Sequence, residues 1–291
     1  MGRKKILILG SGGMAGHAMT TFLEETGAYD VFNLAHRKKL NERTIVLDVT
    51  DFSGFAALLA REDFDVVINC IGVLNQYASD HIDRAILLNS YLPHFLEDRF
   101  KGTPAKIIHL STDCVFSGKT GPYTEDSFKD GDTYYDRTKA LGEVCQGRSL
   151  TVRTSIIGPD MNYDGIGLFN WFMKASGKID GYVNAFWTGI TTIELAKAVE
   201  KLILADLTGI YHLVSNKSIN KYELLLLFKN TFNREDIQVE RYFNERLDKS
   251  LINTRRDFEY RVPEYRAMLE EMRQWILKHP AFYPHYSAFI S

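Results

Sequence analysis

Cysteine is scarce, three in 291 residues, and Cys70, Cys114 and Cys145 are odd in number and lack Cys-x-x-Cys spacing. That excludes a disulfide framework or a cysteine-ligated zinc and predicts reduced thiols. The eight histidines form no His-x-x-x-His or His-Glu pattern, so no required metal is expected. No stretch approaches the roughly 18 apolar residues of a membrane span, and Met1-Gly-Arg-Lys-Lys5 leads into a short strand rather than a signal peptide. A cytoplasmic chain without membrane insertion is expected. Charge of one sign is missing too: a formal net charge of -2, without long basic runs, gives no electrostatic case for nucleic acid. Internal repeats, low-complexity segments and flexible linkers are absent as well. What is present, 45% hydrophobic and 25% charged residues, suits one sizeable core with a smaller lobe attached.

The amino-terminal half alternates apolar runs with helical patterns. Lys5 to Leu9 reads as a buried strand, and Gly10-Ser-Gly-Gly13-Met14-Ala15-Gly16 follows before a helix through Thr26. Glycine at positions 10, 13 and 16 permits a tight turn and close backbone approach to a pyrophosphate, which then meets the free N–H groups of a helix amino terminus. A strand from Tyr29 to Ala35 ends in His36-Arg37-Lys38-Lys39. An NAD-selective site usually carries Asp or Glu here, whereas Arg37, or Lys38 after it, can pair with a 2'-phosphate. NADP(H) is therefore favoured over NAD(H), the alternative being a solvated basic loop. A third strand, Thr44 to Leu47, closes at Asp48-Val49, placed to meet the adenine. A helix from Phe52 to Ala60 and a strand from Val66 to Asn69 lead into Cys70-Ile71-Gly72, small enough to lie against a cofactor. The helix from Arg84 to Phe100 carries Asn89 in an apolar segment, either an anchor for active-site backbone or a satisfied core amide. Repetition of this kind implies a doubly wound parallel sheet with helices on both faces.

Ile107 to Glu143 holds the candidate chemistry. A strand ends at Ser111-Thr112, a polar loop follows, and a helix opens with Tyr135 and Lys139 four residues apart on one face. An ammonium beside a phenol favours the phenolate and would pull the phenol down from about 10. Thr112 could hydrogen-bond the same substrate oxygen, and the implied chemistry is hydride transfer to or from a carbonyl. By itself Tyr-x-x-x-Lys reads equally as a helix-surface pair; the glycine loop and the Ser-Thr-Asp strand end give it weight.

A strand from Ser149 to Ile157 brings Thr154 and Ser155 to the nicotinamide end. The repetition then stops at Gly158-Pro159. Asn162 lies in a glycine-containing loop, and the helix Leu168 to Lys174 offers Trp171, either a stacking surface or core. Later elements are a helix from Thr191 to Asp206, a strand Gly209 to Leu213, a helix from Ser218 to Asn230, a strand near Val239 to Tyr242, a basic loop with Arg246, Lys249 and Arg255, and a helix from Pro263 to Lys278. Residues 1–158 are assigned to the nucleotide-binding domain, with 182–214 partly returning to it, and 159–181 with 215–291 to a smaller mixed α/β lobe.

Together, Gly10-x-x-Gly13-x-x-Gly16, Ser111-Thr-Asp-Cys-Val-Phe-Ser-Gly118, Tyr135-x-x-x-Lys139-Ala-Leu-Gly-Glu143, Val152-Arg-Thr-Ser155 and Gly209-Ile-Tyr-His-Leu213 resemble the extended short-chain dehydrogenase/reductases. Within them the dTDP-4-dehydrorhamnose reductase group is the nearest in look. The resemblance implies a Rossmann-type fold and NADPH-dependent reduction of a 4-keto-6-deoxy sugar on a nucleoside diphosphate, for cell-surface polysaccharide synthesis. It implies that Tyr135 protonates the carbonyl oxygen, that Lys139 holds the ribose hydroxyls, and that Thr112 orients the carbonyl. Gly10, Gly13, Met14, Ala15, Gly16, Arg37, Lys38, Asp48, Val49, Cys70, Ile71, Gly72, Asn89, Ser111, Thr154 and Ser155 complete the implied cofactor site. Cys114, Phe116, Asn162, Trp171, Arg246 and Lys249 are assigned to the sugar nucleotide. Ile156 replaces an aromatic of the group, Arg246-Leu-Asp-Lys-Ser250 replaces an Arg-Pro-x-Asn-Ser pattern, and Cys114 stands where Tyr is usual. Glu at that position marks sugar-nucleotide dehydratases, so Cys114 argues against one. Two further readings stay open: an epimerase-reductase using Cys114 as base, although no histidine lies between Met161 and Lys174 to partner it, and a non-catalytic cofactor-binding subunit. The superfamily also implies a possible homodimer through helices including that of Tyr135.

Overall fold

The computed structural model describes residues 2–243, 245–287, 289 and 290. β1 (Lys5–Leu9) is followed by α1 (Met14–Thr26), β2 (Asp30–Ala35), β3 (Thr44–Val46), α2 (Phe52–Arg61) and β4 (Val66–Asn69). Two short helices, α3 (Asn75–Asp80) and α4 (Ile82–Ala85), precede a π-helical turn, Ile86–Tyr91, that runs into α5 (Leu92–Arg99). β5 (Lys106–Thr112), α6 (Tyr134–Leu141) and β6 (Ser149–Thr154) complete the first half. The continuous helix expected from Arg84 to Phe100 is thus interrupted by the wider π turn, which carries Asn89. The π turn widens the helix locally, a feature frequent at functional sites.

The second half begins with β7 (Ile156–Ile157), α7 (Leu168–Lys174), β8 (Gly177–Tyr182), β9 (Ala185–Trp187), β10 (Ile190–Thr191), α8 (Thr192–Leu204) and β11 (Gly209–His212). β12 (Ile219–Asn220), α9 (Lys221–Thr231), β13 (Ile237–Tyr242), β14 (Leu247–Asp248) and α10 (Tyr265–Lys278) follow. The expected strand Ser149 to Ile157 is two strands, the second paired with β10 rather than the main sheet. The helix expected from Ser218 starts at Lys221, because Ile219 and Asn220 pair with β9 and the Asn220 side chain then caps Glu223 N at 2.8 Å. β8 and β9 have no counterpart in the sequence reading; they are short and mixed in polarity, and they find partners only at β13, β12 and β14.

The central sheet has seven parallel strands in the order β11-β6-β5-β4-β1-β2-β3. Alternation along each strand supplies both faces. Ile6 and Ile8 join one core with α1 and α8, and Leu7 and Leu9 join another with α2 and α5. The winding reverses between β1 and β4, which opens a crevice outside their carboxyl ends, the usual ligand position in such sheets.

Candidate active site

The crevice holds a cavity of about 480 Å³ bounded by the glycine loop, the ends of β2 and β4 and the π-interrupted helix. Gly10, Gly13, Arg37, Lys38, Asp48, Val49, Cys70, Ile71 and Gly72 line it, joined by His36 and by Arg84, which the sequence had not marked. A side chain at Gly16 would place its Cβ 2.1 Å from the Gly10 carbonyl oxygen, and Gly10 itself has φ 86°. The loop can fold this tightly only with glycine there, leaving a cradle of the shape a pyrophosphate needs. Met14, Ala15 and Gly16 open α1 beneath the cradle. The residues present thus fit a dinucleotide. At the adenosine end Asp48 is held by Thr50, through its backbone N–H at 3.0 Å and hydroxyl at 2.7 Å, and by His36 at 3.2 Å. The Thr50 backbone contact first, opposed by desolvation and helped by the Thr50 hydroxyl, keeps its carboxyl below the usual range.

The residues expected to carry the chemistry come from β5, the neighbour of the cavity-lining β4, and from α6. Thr112 closes β5 and Tyr135 and Lys139 lie one turn apart on α6, all three nearly buried. A capping box between Thr133 and Asp136 starts the helix, and fixes where Tyr135 falls. Thr112 Oγ1 accepts from Cys114 N at 3.1 Å and donates to Asp113 Oδ1 at 3.2 Å, close enough to the Tyr135 phenol to act on it. The expected lowering of the phenol is not what this structure imposes. Burial first, then Cys114, pushes Tyr135 up, with Thr112 acting against them. Lys139 Nζ, one turn on, donates to the Leu110 carbonyl at 2.7 Å and lies 3.4 Å from His109 Nε2. Lys139 itself is pushed down to about 8 by burial, against Glu143 and Cys70.

Several assigned residues play other parts. Asn89 accepts from Val73 N at 2.7 Å and donates to Val73 O at 2.9 Å and to Thr138 Oγ1 at 3.0 Å, so it anchors the segment after β4 to α6 and has no exposed surface for a cofactor. The Ser111 hydroxyl donates to Glu143 Oε1 at 2.8 Å instead of facing the crevice. Phe116 is fully buried, stacked on Tyr123 at 4.3 Å with the Arg153 guanidinium over its ring, and presents nothing to a substrate. Arg255 donates to the Thr208 and Ile210 carbonyls at 2.9 and 2.8 Å and pairs with Asp257, which makes it a clasp on the edge strand. Asn162 Oδ1 takes the Asp164 N–H at 3.2 Å within its own turn. Trp171 is the exposed member of an otherwise buried aromatic helix face. Thr154 ends β6 with its hydroxyl 3.3 Å from the Ser155 carbonyl, both at the carboxyl edge of the sheet.

From the second lobe, two lysines approach the Ser-Thr-Asp corner. Lys249 faces Cys114, Asp113 and Asp136; desolvation opposes its charge, and these three raise its pKa. Lys221, unmarked in the sequence, lies 4.7 Å from the Trp187 ring centroid and is lowered by burial, with Asp113 opposing. Asp113 is raised by desolvation despite both lysines. Cys114 is pushed up to about 12, by burial first and Asp113 next. Arg246 lies further out, exposed and paired with Asp248 at 3.1 Å.

A profile of the RmlD substrate binding domain family matches residues 4–272. The chain belongs to this family. It is 29% identical over 224 residues to the spore coat polysaccharide biosynthesis protein SpsK of Bacillus subtilis, covering 74% of each chain. It is 25% identical over 248 residues to methionine adenosyltransferase 2 subunit beta of Xenopus laevis, covering 79% of this chain and 72% of the other. Among solved structures, dTDP-4-dehydrorhamnose reductase of Bacillus anthracis in complex with NADP superposes with a TM-score of 0.79 at 20% identity, covering 93% of this chain and 99% of that one. The extended short-chain dehydrogenase/reductase fold implied by the motifs is the fold of the chain. Among the described residues no helix is long and apolar enough to cross a membrane.

Proposed function

We propose that this family member is an NADPH-dependent reductase of the 4-keto group of a nucleoside-diphosphate 4-keto-6-deoxy sugar, working in the cytoplasm for cell-surface polysaccharide synthesis. The observation that carries the reading is Thr112 close to Tyr135, with buried Lys139 one turn on and within reach of Cys70, which lines the crevice of the glycine cradle. A reduced nicotinamide bound there supplies the hydride. Thr112 and Tyr135 then share the ketone oxygen, and Tyr135, protonated at neutral pH by its burial, delivers the proton as the oxygen gains charge. Lys139 holds the ribose end of the cofactor and favours the phenolate left behind. Arg37 and Lys38 line the place where β2 ends, while Asp48, the acidic alternative for ribose hydroxyls, is already engaged by Thr50 and His36. That arrangement supports NADPH over NADH. Lys249, with Lys221 also near Asp113 and Cys114, is the basic residue best placed for the sugar nucleotide, and exposed Trp171, Asn162 and Arg246 are further candidates for it.

The thiol of Cys114, held protonated by burial, is a poor base at neutral pH, which weighs against the epimerase-reductase. The likeness to a methionine adenosyltransferase subunit favours a second reading, cofactor binding without turnover. The test is oxidation of NADPH, with NADH as control, across a panel of nucleoside-diphosphate 4-keto-6-deoxy sugars. Turnover with one of them, reduced about 10²- to 10⁴-fold in Tyr135→Phe with NADPH affinity retained, is expected. Tight NADPH binding with no turnover on any sugar would replace the reductase by the binding subunit.

A further inference from the structure

Lys139 stands at the inner end of a directed chain of hydrogen bonds that begins at a backbone amide. Ile71 N–H donates to Asn69 Oδ1 at 3.1 Å, which identifies the oxygen end of that amide. The other end, Nδ2, therefore donates to His109 Nδ1, 3.1 Å away. Burial, aided by Lys139 and His94, keeps the His109 ring neutral. A neutral imidazole that accepts at Nδ1 carries its proton on Nε2, and this N–H points at Lys139 Nζ, 3.4 Å away. An ammonium there sets donor against donor. A neutral amine accepts from Nε2–H with its lone pair and still donates to the Leu110 carbonyl at 2.7 Å. Asn69 and His109 have no exposed surface and Lys139 is 4% exposed, so solvent hardly screens the contact.

We propose that His109 is a positioning residue that governs the charge on Lys139: Asn69 aims its Nε2–H at Nζ and thereby favours the amine over the ammonium. The consequence, though not the effect itself, rests on the reductase reading: Tyr135 loses its cationic neighbour as the pH rises through the mildly alkaline range, the proton passing to solvent. The other groups around Lys139 are Cys70 after β4, Tyr135 one turn before it on α6, and Glu143 just past the helix end. Cys70 and Glu143 favour the ammonium. However, burial pushes the Cys70 thiol up to about 12, leaving it neutral, and Glu143 is bound by Arg153, Ser111 and Lys129. The ammonium is therefore weakened rather than abolished, and it gives way to the amine above about 8.

Carbon NMR of protein labelled at lysine Cε reads this directly, without any sugar or turnover. The Lys139 signal is identified by its loss in Lys139→Met. In the unaltered protein it is expected to titrate near 8, and to move up by about one unit or more in His109→Phe. Asn69→Leu frees the ring to protonate Nδ1 and accept from Nζ, and is expected to shift the signal the same way without adding charge. Movement in either folded variant supports the assignment. An unaltered protein whose Lys139 titrates like free lysine, about 10.4, or a value unmoved in the folded variants, overturns it even if the reductase assay succeeds.

Discussion

Arg37 and Phe116 mark the two ways a single residue can be read from sequence. Arg37 follows the end of β2, a position defined by strand and loop order alone, and it lines the crevice cavity beside the glycine loop. If the 2'-phosphate is its ligand, Arg37→Ala removes a charge-assisted contact worth about 1.5 to 3 kcal/mol, roughly a ten- to hundredfold loss in kcat/KM for NADPH. NADH should be used as before. Steady-state kinetics with both cofactors checks this, and an equal loss for the two would remove Arg37 from the phosphate site. Phe116 lies only two residues beyond Cys114, yet it turns inward onto Tyr123 and Arg153. Local spacing says how far along the chain a residue lies from the strand end, but the direction of its side chain in an irregular loop is decided by partners distant in sequence. His109, Lys221 and Arg84 escaped notice for the same reason. Each acquires its meaning only from groups on other elements, Asn69 and Lys139 for the first, Asp113 and Trp187 for the second, and the adenosine cavity for the third.

Elements lock together through Glu143 and Arg153, a fully buried pair in which the Nε and Nη2 edge of the guanidinium meets both carboxylate oxygens, at 2.6 and 2.8 Å. Arg153 sits on β6 and Glu143 just beyond α6; Ser111 on β5 donates to the same carboxylate, so the pair holds the catalytic helix against the strand that ends in Thr112. Despite burial, the Arg153 hydrogen bond and charge, with Lys129 and Ser111, keep the Glu143 carboxyl below its usual value of 4.5. A group depressed in the folded state contributes stability above its unfolded pKa and loses it as the pH falls through the folded one. Arg153→Met should therefore cost up to about 3 to 5 kcal/mol near neutrality, because it leaves the buried carboxylate only Lys129 and Ser111 as partners. The deficit should shrink in acid as Glu143 is protonated. Urea unfolding of both proteins at neutral and acid pH measures the gap, and a gap independent of pH would mean that lost packing over Phe116, not charge, dominates. The strands that this pair joins were legible as apolar runs, and α6 from Tyr135 and Lys139 one turn apart after a polar loop, whereas the π turn beside them was not. Its sequence, Ile86 to Tyr91, is ordinary helix former, and the wider turn is registered by Asn89 gripping Val73 and Thr138 rather than by local propensity.

At the scale of the whole molecule, the tail after α10 returns to the first glycine loop and closes the chain on itself. Tyr283 OH lies 2.7 Å from His17 Nε2 and receives Trp275 Nε1–H at 3.0 Å, while His17 Nδ1 reaches the Gly13 carbonyl at 2.8 Å. Tyr286 OH donates to Asn170 Oδ1 at 2.8 Å and accepts from Asp160 N at 3.2 Å, which braces the loop ahead of α7. That loop passes over the cofactor helix so closely that a Cβ on Gly167 would lie 3.3 Å from Met14 Sδ. The resemblance loosens towards the carboxyl terminus, and no sequence motif announced that the segment after α10 braces the first loop. Removing residues 279–291 should leave His17 and Asn170 short of a partner, each at about 1 to 3 kcal/mol, beyond the burial lost with Phe282, Tyr283, Tyr286 and Ile290. Because His17 bonds to the Gly13 carbonyl, the truncated protein is expected both to melt earlier and to bind NADPH more weakly. Melting curves with and without NADPH separate the two effects. A lower melting temperature with an unchanged NADPH-induced rise would mean that the tail stabilises the core without shaping the cradle; a smaller rise would place the tail within the cofactor site's own architecture.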